Sequence, residues 1–354
     1  MDLKKRGVIL GFWSGIFFLF LFAAILLLAF NFAPKFLENS LGECNDGTSF
    51  GECAKIKPYY CSEGVLTEKA SACGCPEGFT RKIDSCISAY QSNPKNITLD
   101  YTLYGEKKSI DFVVYQDLEE YISKIPRSID YVSGQNVSRT DFKIKAVNEK
   151  TQKGFLLSLV LKIQNTTSDK DEQAKIAVSM VQSIPYGFSD GTLKLTGSSS
   201  VAYSRYPYEV LYELEGICGE KSELLAFLLK ELSFDVVIFY NLQENHESVG
   251  IKCPLSESWQ DSGYCFVETS GNAIISDSTL SYSNGVKIKS KPEIMKISDG
   301  ISLSSGLEDY KDAKAMMKLR EKIEENGKLS IVDEKTYNEL KKKYGISEES
   351  YGLD

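Results

Sequence analysis

The hydrophobic and polar positions divide the chain into regions of different character. Residues 7–33 contain no charged side chain, and an apolar stretch of that length spans a bilayer as a helix. Residues 40–90 are polar, rich in glycine and crowded with cysteine. Strand-like and helical patterns then alternate through residues 97–285, and residues 286–354 are charged with broken helical stripes. The pattern predicts an anchored protein with a small module, one main domain and a helical tail.

The first half of the main domain combines predicted strands with predicted helices. One helix is expected over 117–125, where Pro126 ends it, and another after Ser168 or Asp169, ending at Pro185. Two pairs of strands are expected around these helices. The first pair, 99–104 and 110–115, flanks a glycine turn and reads as a hairpin. The second pair is 142–147 and 155–163.

The second half predicts a helix packed on an antiparallel sheet. Leucines from Leu224 to Leu232 lie on one face of a helix, and Cys218 stands at or just before its first turn. Three β-type runs follow: Phe234–Tyr240, a strand beginning at His246, and Tyr264–Thr269. The predicted fold class is therefore α+β. Two further helices are expected in the tail.

The basic residues Lys4, Lys5 and Arg6 precede the apolar span. The positive-inside rule places residues 1–6 in the cytoplasm, residues 7–33 in the membrane, and the bulk of the chain outside the cytoplasm. A cleavable signal peptide is the alternative, although its apolar core is shorter. Sequons at Asn96, Asn136 and Asn165 agree with export.

Charge and short motifs exclude several functions. The 354-residue chain has a net charge of −8 and a pI near 5.1, which argues against a nucleic-acid partner. Neither a Walker loop nor a GxGxxG motif after a strand occurs. We therefore expect no cofactor and no nucleic-acid binding.

The nine cysteines divide into six, two and one. Outside the cytoplasm the first six predict three disulfides of open connectivity, with a zinc site as the alternative. Cys253 and Cys265 lie on what should be neighbouring strands and are expected to pair. Cys218 is then the odd thiol; a zinc site built from Cys218, His246, Cys253 and Cys265 is a second metal alternative. The six cysteines of the module are Cys44, Cys53, Cys61, Cys73, Cys75 and Cys86.

Cys218, His246 and Glu268 have the chemistry of a thiol nucleophile, its base and an orienting acid. The start of a helix favours a thiolate, lowers the pKa of a cysteine, and offers amides to an oxyanion. Each residue also has an ordinary interpretation: an inert buried cysteine, a solvated histidine, an exposed strand acid. His246 is the only histidine of the chain, and the three residues occur in an order that favours catalysis.

The residues around Cys218 resemble the transglutaminase-like superfamily, especially its archaeal thiol-protease-like members. The similarity rests on Arg205-Tyr206-Pro207, on Val210-Leu211, and on the run from Gly216 to Leu225. It implies a papain-like core in which Cys218 is the nucleophile and His246 the base. Glu268 stands where the family has Asp, with Asp277 as a substitute. The residues after His246 are Glu247-Ser248 in place of the family's small and aromatic pair.

The resemblance implies acyl transfer through a thioester. Hydrolysis would make the protein a peptidase or amidase acting on a protein or peptide outside the cell, whereas attack by an amine would make it a cross-linking transamidase. A non-catalytic surface module that binds envelope components on the same fold is the other hypothesis. The sequence favours hydrolysis because the site would face bulk water.

Overall fold

A computed structural model describes residues 42–352 except 131, 133, 135, 190, 195–199, 203 and 348–350. The predicted cytoplasmic tail and transmembrane segment lie outside these residues. Within the described part of the chain, no helix combines the length and the apolar character needed to cross a membrane.

The cysteine-rich module is held together by disulfides. The three bonds are Cys44–Cys61, Cys53–Cys73 and Cys75–Cys86, which confirms the expected pairing of all six sulfurs. Little apolar surface is buried here, so cross-links replace a core. The elements are short: β1 (Tyr59–Ser62), β2 (Val65–Glu68), α1 (Ala70–Cys73), β3 (Thr80–Lys82) and β4 (Ser85–Ile87).

The main domain begins with the expected hairpin and continues as a group of helices. The hairpin turns at Tyr104 and Gly105, both with positive φ. The elements are β5 (Pro94–Leu103), β6 (Glu106–Tyr115), α2 (Gln116–Ile122), α3 (Arg139–Val147), α4 (Lys150–Thr166), α5 (Lys170–Ser183), β7 (Thr192–Lys194), β8 (Ser200–Ala202) and α6 (Pro207–Glu213).

A four-stranded antiparallel sheet forms the centre of the α+β fold. Its order is β11-β10-β9-β12, and α7 packs against β9 and β10. Alternate residues of β9 enter two different apolar clusters, so this strand is buried on both faces. The elements are α7 (Cys218–Glu231), β9 (Val236–Asn241), β10 (His246–Lys252), β11 (Tyr264–Val267) and β12 (Glu293–Ser298).

The second predicted pair of strands was wrong, because residues 142–147 and 155–163 belong to helices α3 and α4. Every residue from 155 to 163 except Ser158 and Lys162 is buried, since α4 packs against α2, α5, α6, α7 and β2. The polar face of α4 is narrow, marked by Ser158 and Lys162, so the apolar run between 155 and 163 shows little helical period in the sequence. Glu149 caps α4 by accepting hydrogen bonds from the amides of Thr151 and Gln152.

The tail contains both expected helices, and both dock on the main domain. They are α8 (Glu308–Asn326) and α9 (Ile331–Tyr344), which share a small apolar cluster with Ile274. Arg320 Nη1 of α8 lies 2.5 Å from Asp277 Oδ2, a buried ion pair that fixes the helix to the main domain. Strand β12, which also comes from the stretch 286–354, completes the sheet.

Candidate active site

The amino terminus of α7 places Cys218. Glu220 accepts hydrogen bonds from the Ile217 amide at 3.1 Å and from the Arg205 amide at 2.7 Å. Arg205 Nη1 also contacts Glu220 Oε2 at 3.1 Å. An anchored carboxylate in the first turn satisfies helix amides and favours the start of a helix at this residue. The nucleophile predicted from the sequence therefore has a fixed position.

The sheet brings the histidine to the acid. Val249 pairs with Val267 across β10 and β11, so continuing this register places Glu268 diagonally from His246 on one face. His246 Nε2 lies 2.9 Å from Glu268 Oε2. A carboxylate can only accept, so Nε2 carries the proton and Nδ1 is the ring nitrogen left for base chemistry.

Glu268 is held in its charged form by a shell of donors. Oε1 accepts from the amides of Thr269 and Ser270 and from the Ser270 hydroxyl, at 2.9, 2.8 and 2.7 Å. Oε2 accepts from Tyr282 at 2.5 Å in addition to His246. Burial alone would raise the pKa of Glu268, but the His246 charge and these hydrogen bonds lower it to about 2. The carboxylate is thus a permanent anion that orients the imidazole.

The sulfur of Cys218 lies beside the backbone of β10. The Glu247 amide donates to Cys218 Sγ at 3.3 Å. Covalent geometry then limits the sulfur to within about 6 Å of the His246 Cα. Cys253 and Cys265 form the predicted disulfide. With the three disulfides of the module this accounts for all eight other cysteines, so Cys218 remains a thiol. The structure therefore joins His246 directly to Glu268 and places the Cys218 sulfur against the backbone one residue after His246.

The structure does not support the two alternatives for this site, a different orienting acid and a zinc ion. Asp277, the substitute orienting acid, pairs with Arg320 and Thr279 instead of with His246. The zinc alternative needed thiolates from Cys253 and Cys265, whose sulfurs are bonded to each other. In the described part of the chain, no group of three candidate ligands is arranged to hold a metal ion.

The chain was compared with protein-family models, with curated proteins and with solved structures. None of them matches it. A function can therefore be inferred only from the geometry of the site.

Two residues of the site were missed in the sequence. The hydroxyl of Tyr282 bonds Glu268, and its ring centroid lies 4.6 Å from that of His246. Lys221 is fully buried one helical turn after Cys218, and its Nζ donates to the carbonyl of Ile184 at 2.5 Å. Burial lowers the pKa of Lys221 to about 7, an effect that Glu268 and Cys218 oppose. The i+3 spacing from Cys218 was the available signal for Lys221.

The unusual residue after the histidine has a partner on another helix. Glu247 Oε2 lies 2.5 Å from Lys143 Nζ, and Glu223 Oε1 lies 2.8 Å from the same ammonium. Arg139 approaches Glu247 Oε1 at 3.5 Å. Burial raises the pKa of Glu223 to about 7, with Lys143 opposing the rise. This ion-pair cluster ties α3 to α7 and β10, next to the amide that contacts the sulfur.

The site is closed to solvent. Cys218, His246 and Glu268 each have 0 % of their surface exposed. Tyr282, which covers the imidazole, is itself buried beneath Tyr351. Substrate access therefore requires a movement of the surrounding segments.

Proposed function

We propose that this protein is a transglutaminase-like thiol peptidase or amidase, anchored by residues 7–33 and facing outward from the cytoplasm. The observation that carries the proposal is the contact of His246 with an anionic Glu268 beside the sulfur at a helix start. Four disulfides support an oxidising compartment. The substrate class is an amide in a protein or peptide outside the cell.

The proposed reaction proceeds through a thioester. His246 Nδ1 takes the thiol proton, and the thiolate of Cys218 attacks the amide carbonyl to form a carbon–sulfur bond. Amides at the start of α7 stabilise the oxyanion. The carbon–nitrogen bond then breaks and the leaving amine takes the proton from His246. Water, deprotonated by His246, attacks the thioester; the acid is released and the proton returns to sulfur.

Full-length protein, incubated with a mixture of internally quenched peptides, tests this function. We expect hydrolysis by the wild type and none above background by Cys218→Ala. Monodansylcadaverine added to the same mixture separates hydrolysis from cross-linking, since only a transamidase incorporates the amine. Hydrolysis retained by Cys218→Ala would refute the assignment of the nucleophile. Circular dichroism of the variant provides the control for folding.

The second candidate is a non-catalytic binding module of the same fold. The complete burial of the Cys218 sulfur favours it, because a buried thiol cannot reach a carbonyl without rearrangement. Alkylation by iodoacetamide distinguishes the two functions. Reaction of Cys218 in the native state below pH 7 supports the enzyme, whereas reaction only after unfolding supports the binding module.

A further inference from the structure

We propose that the site is served by a groove that binds an extended peptide with an aromatic side chain, and that Tyr351 and Gly352 of this chain occupy it. This aromatic groove is bounded by Tyr186, by Gly271 and Asn272, and by Ser281–Ser283. The inference rests on the proposed function and deepens it by naming the substrate class and a device that controls access.

The backbone of Tyr351 is held as a bound peptide strand would be. Tyr351 forms a parallel β-bridge with Tyr282. Its amide donates to the Ser281 carbonyl at 3.2 Å, and its carbonyl accepts from the Ser283 amide at 2.9 Å and the Ser283 hydroxyl at 3.1 Å. Main-chain pairing of this kind binds a peptide whatever its sequence, and adjacent pockets then supply specificity.

The side chain of Tyr351 fills such a pocket. Only 2 % of the residue is exposed, and its hydroxyl donates to the Asn272 carbonyl at 2.8 Å. The ring lies against the backbone of Gly271, where an added Cβ would stand 3.0 Å from the ring. Its centroid is 5.9 Å from that of Tyr282. These contacts select a flat ring that carries a hydroxyl.

The aromatic groove is connected through Tyr282 to the candidate base and to the acid that orients it. Tyr282 pairs with Tyr351 through its backbone, bonds Glu268 through its hydroxyl and packs its ring on His246. A peptide strand in the groove therefore lies one residue layer from the imidazole. Binding energy from a substrate residue held next to the base in this way can position a scissile amide.

The chain's own segment then competes with substrate. Gly352 lies so close to Tyr186 that a Cβ would stand 2.3 Å from the ring, and Asn272 Nδ2 also donates to the Gly345 carbonyl at 2.8 Å. An attached segment has a high effective concentration, so it occupies the groove until it is displaced. The closed state of Cys218 is the state with this segment bound.

The test uses full-length protein, a variant ending at Ser347, and a blocked synthetic peptide of residues 346–352. We expect the peptide to bind the shortened protein, and the intact chain to bind it at least about tenfold more weakly. The same peptide with alanine in place of its tyrosine should not bind. These measurements, made by calorimetry on Cys218→Ala forms, do not depend on catalysis.

Thiol access gives a second readout in proteins that retain Cys218. Loss of the segment should raise the rate of alkylation by iodoacetamide about tenfold, and added peptide should lower it again. Tyr351→Ala and Gly352→Val in the complete chain repeat the test if the shortened chain does not fold. Tyr351→Phe, which keeps the ring and loses only the hydroxyl bond to Asn272, should give an alkylation rate between those of the wild type and Tyr351→Ala. Absence of peptide binding together with unchanged alkylation would overturn the inference.

The two proposals fail in different ways. Peptide binding with faster alkylation, but without hydrolysis of any peptide by the shortened protein, would refute the enzyme and leave the groove in place. Hydrolysis at equal rates with and without the segment would refute the groove and leave the enzyme in place.

Discussion

Replacement of Glu268 by glutamine tests the centre of the site with almost no change of shape. The carboxylate accepts five hydrogen bonds, three at Oε1 and two at Oε2. The glutamine amide has one oxygen and one NH₂ group. In either orientation its NH₂ group, a hydrogen-bond donor, therefore faces donors that the carboxylate oxygen had accepted. If the NH₂ group faces His246, the imidazole must move its proton to Nδ1, the nitrogen required as the base.

The magnitude follows from the pKa of Glu268, about 2 in the folded protein against an ordinary value of 4.5. That difference corresponds to about 3 kcal/mol of stability at pH 7. Because the folded-state pKa is the lower one, this contribution is complete above pH 4.5 and is lost as the pH falls toward 2. Glu268→Gln should therefore unfold about 3 kcal/mol more easily at pH 7, with a difference that shrinks below pH 4.5.

The same substitution should weaken the thiolate–imidazolium pair. Linkage is reciprocal. The free energy by which the His246 imidazolium stabilises the Glu268 carboxylate is therefore also the free energy by which that carboxylate stabilises the imidazolium. If this free energy is about 1–2 kcal/mol, alkylation of Cys218 at pH 7 slows roughly 5- to 30-fold. Urea unfolding and the pH profile of iodoacetamide reaction measure the two effects.

Asp277→Asn is the matched control, because it removes a second buried carboxylate that pairs with Arg320 on α8. It should lower stability and leave the pH profile of alkylation unchanged. The assignment of Glu268 fails if Asp277→Asn shifts that profile and Glu268→Gln does not.

Two further predictions concern Lys221, which is fully buried, and Lys143, which is half-buried. The pKa of Lys221 is about 7 in the folded protein against 10.5 ordinarily, so the unfolded chain binds more protons between these values and stability rises with pH. Lys221→Met should lack this rise, which amounts to at most about 1.4 kcal/mol per pH unit in urea unfolding; equal slopes would contradict the burial argument. Lys143→Met leaves Glu223 and Glu247 buried without their shared cation, and should cost about 3–5 kcal/mol in the same assay. A loss below about 1 kcal/mol would show that other groups neutralise the two acids.

Much of the architecture could be predicted from the sequence because the local hydrophobic patterns agree with the tertiary structure. The leucine stripe after Cys218 defined α7, and β-type runs defined β9, β10 and β11 to within a few residues. The number and spacing of the cysteines predicted the disulfide between Cys253 and Cys265. In the structure their Cα atoms are 5.7 Å apart, within the range of a disulfide. The prediction that Cys218, His246 and Glu268 lie close together followed from packing the first turn of a helix against an antiparallel sheet.

The sequence pattern did not predict secondary structure or side-chain exposure where distant parts of the chain determine which residues are buried. Helix α4 is covered on all but a narrow face at Ser158 and Lys162, so its apolar run predicts a buried strand as readily as a helix. The ordinary interpretations of the site residues assumed a solvated histidine and an exposed acid, yet both residues are fully buried. Burial of a polar side chain depends on which segments cover it, and residue spacing within one element does not carry that information.

The same reasoning explains why Tyr282 and Tyr351 escaped notice although they complete the site. Tyr282 follows Glu268 after a stretch without strands, and Tyr351 comes from beyond α9. Each contributes through a contact that only the folded chain creates: a hydroxyl on a carboxylate, and a ring on that tyrosine. The residue types and their order are enough to single out the acid, the histidine and the cysteine as candidates. The state of access to them is determined by a segment some 130 residues from the nucleophile, so the control of this site lies in its tertiary structure.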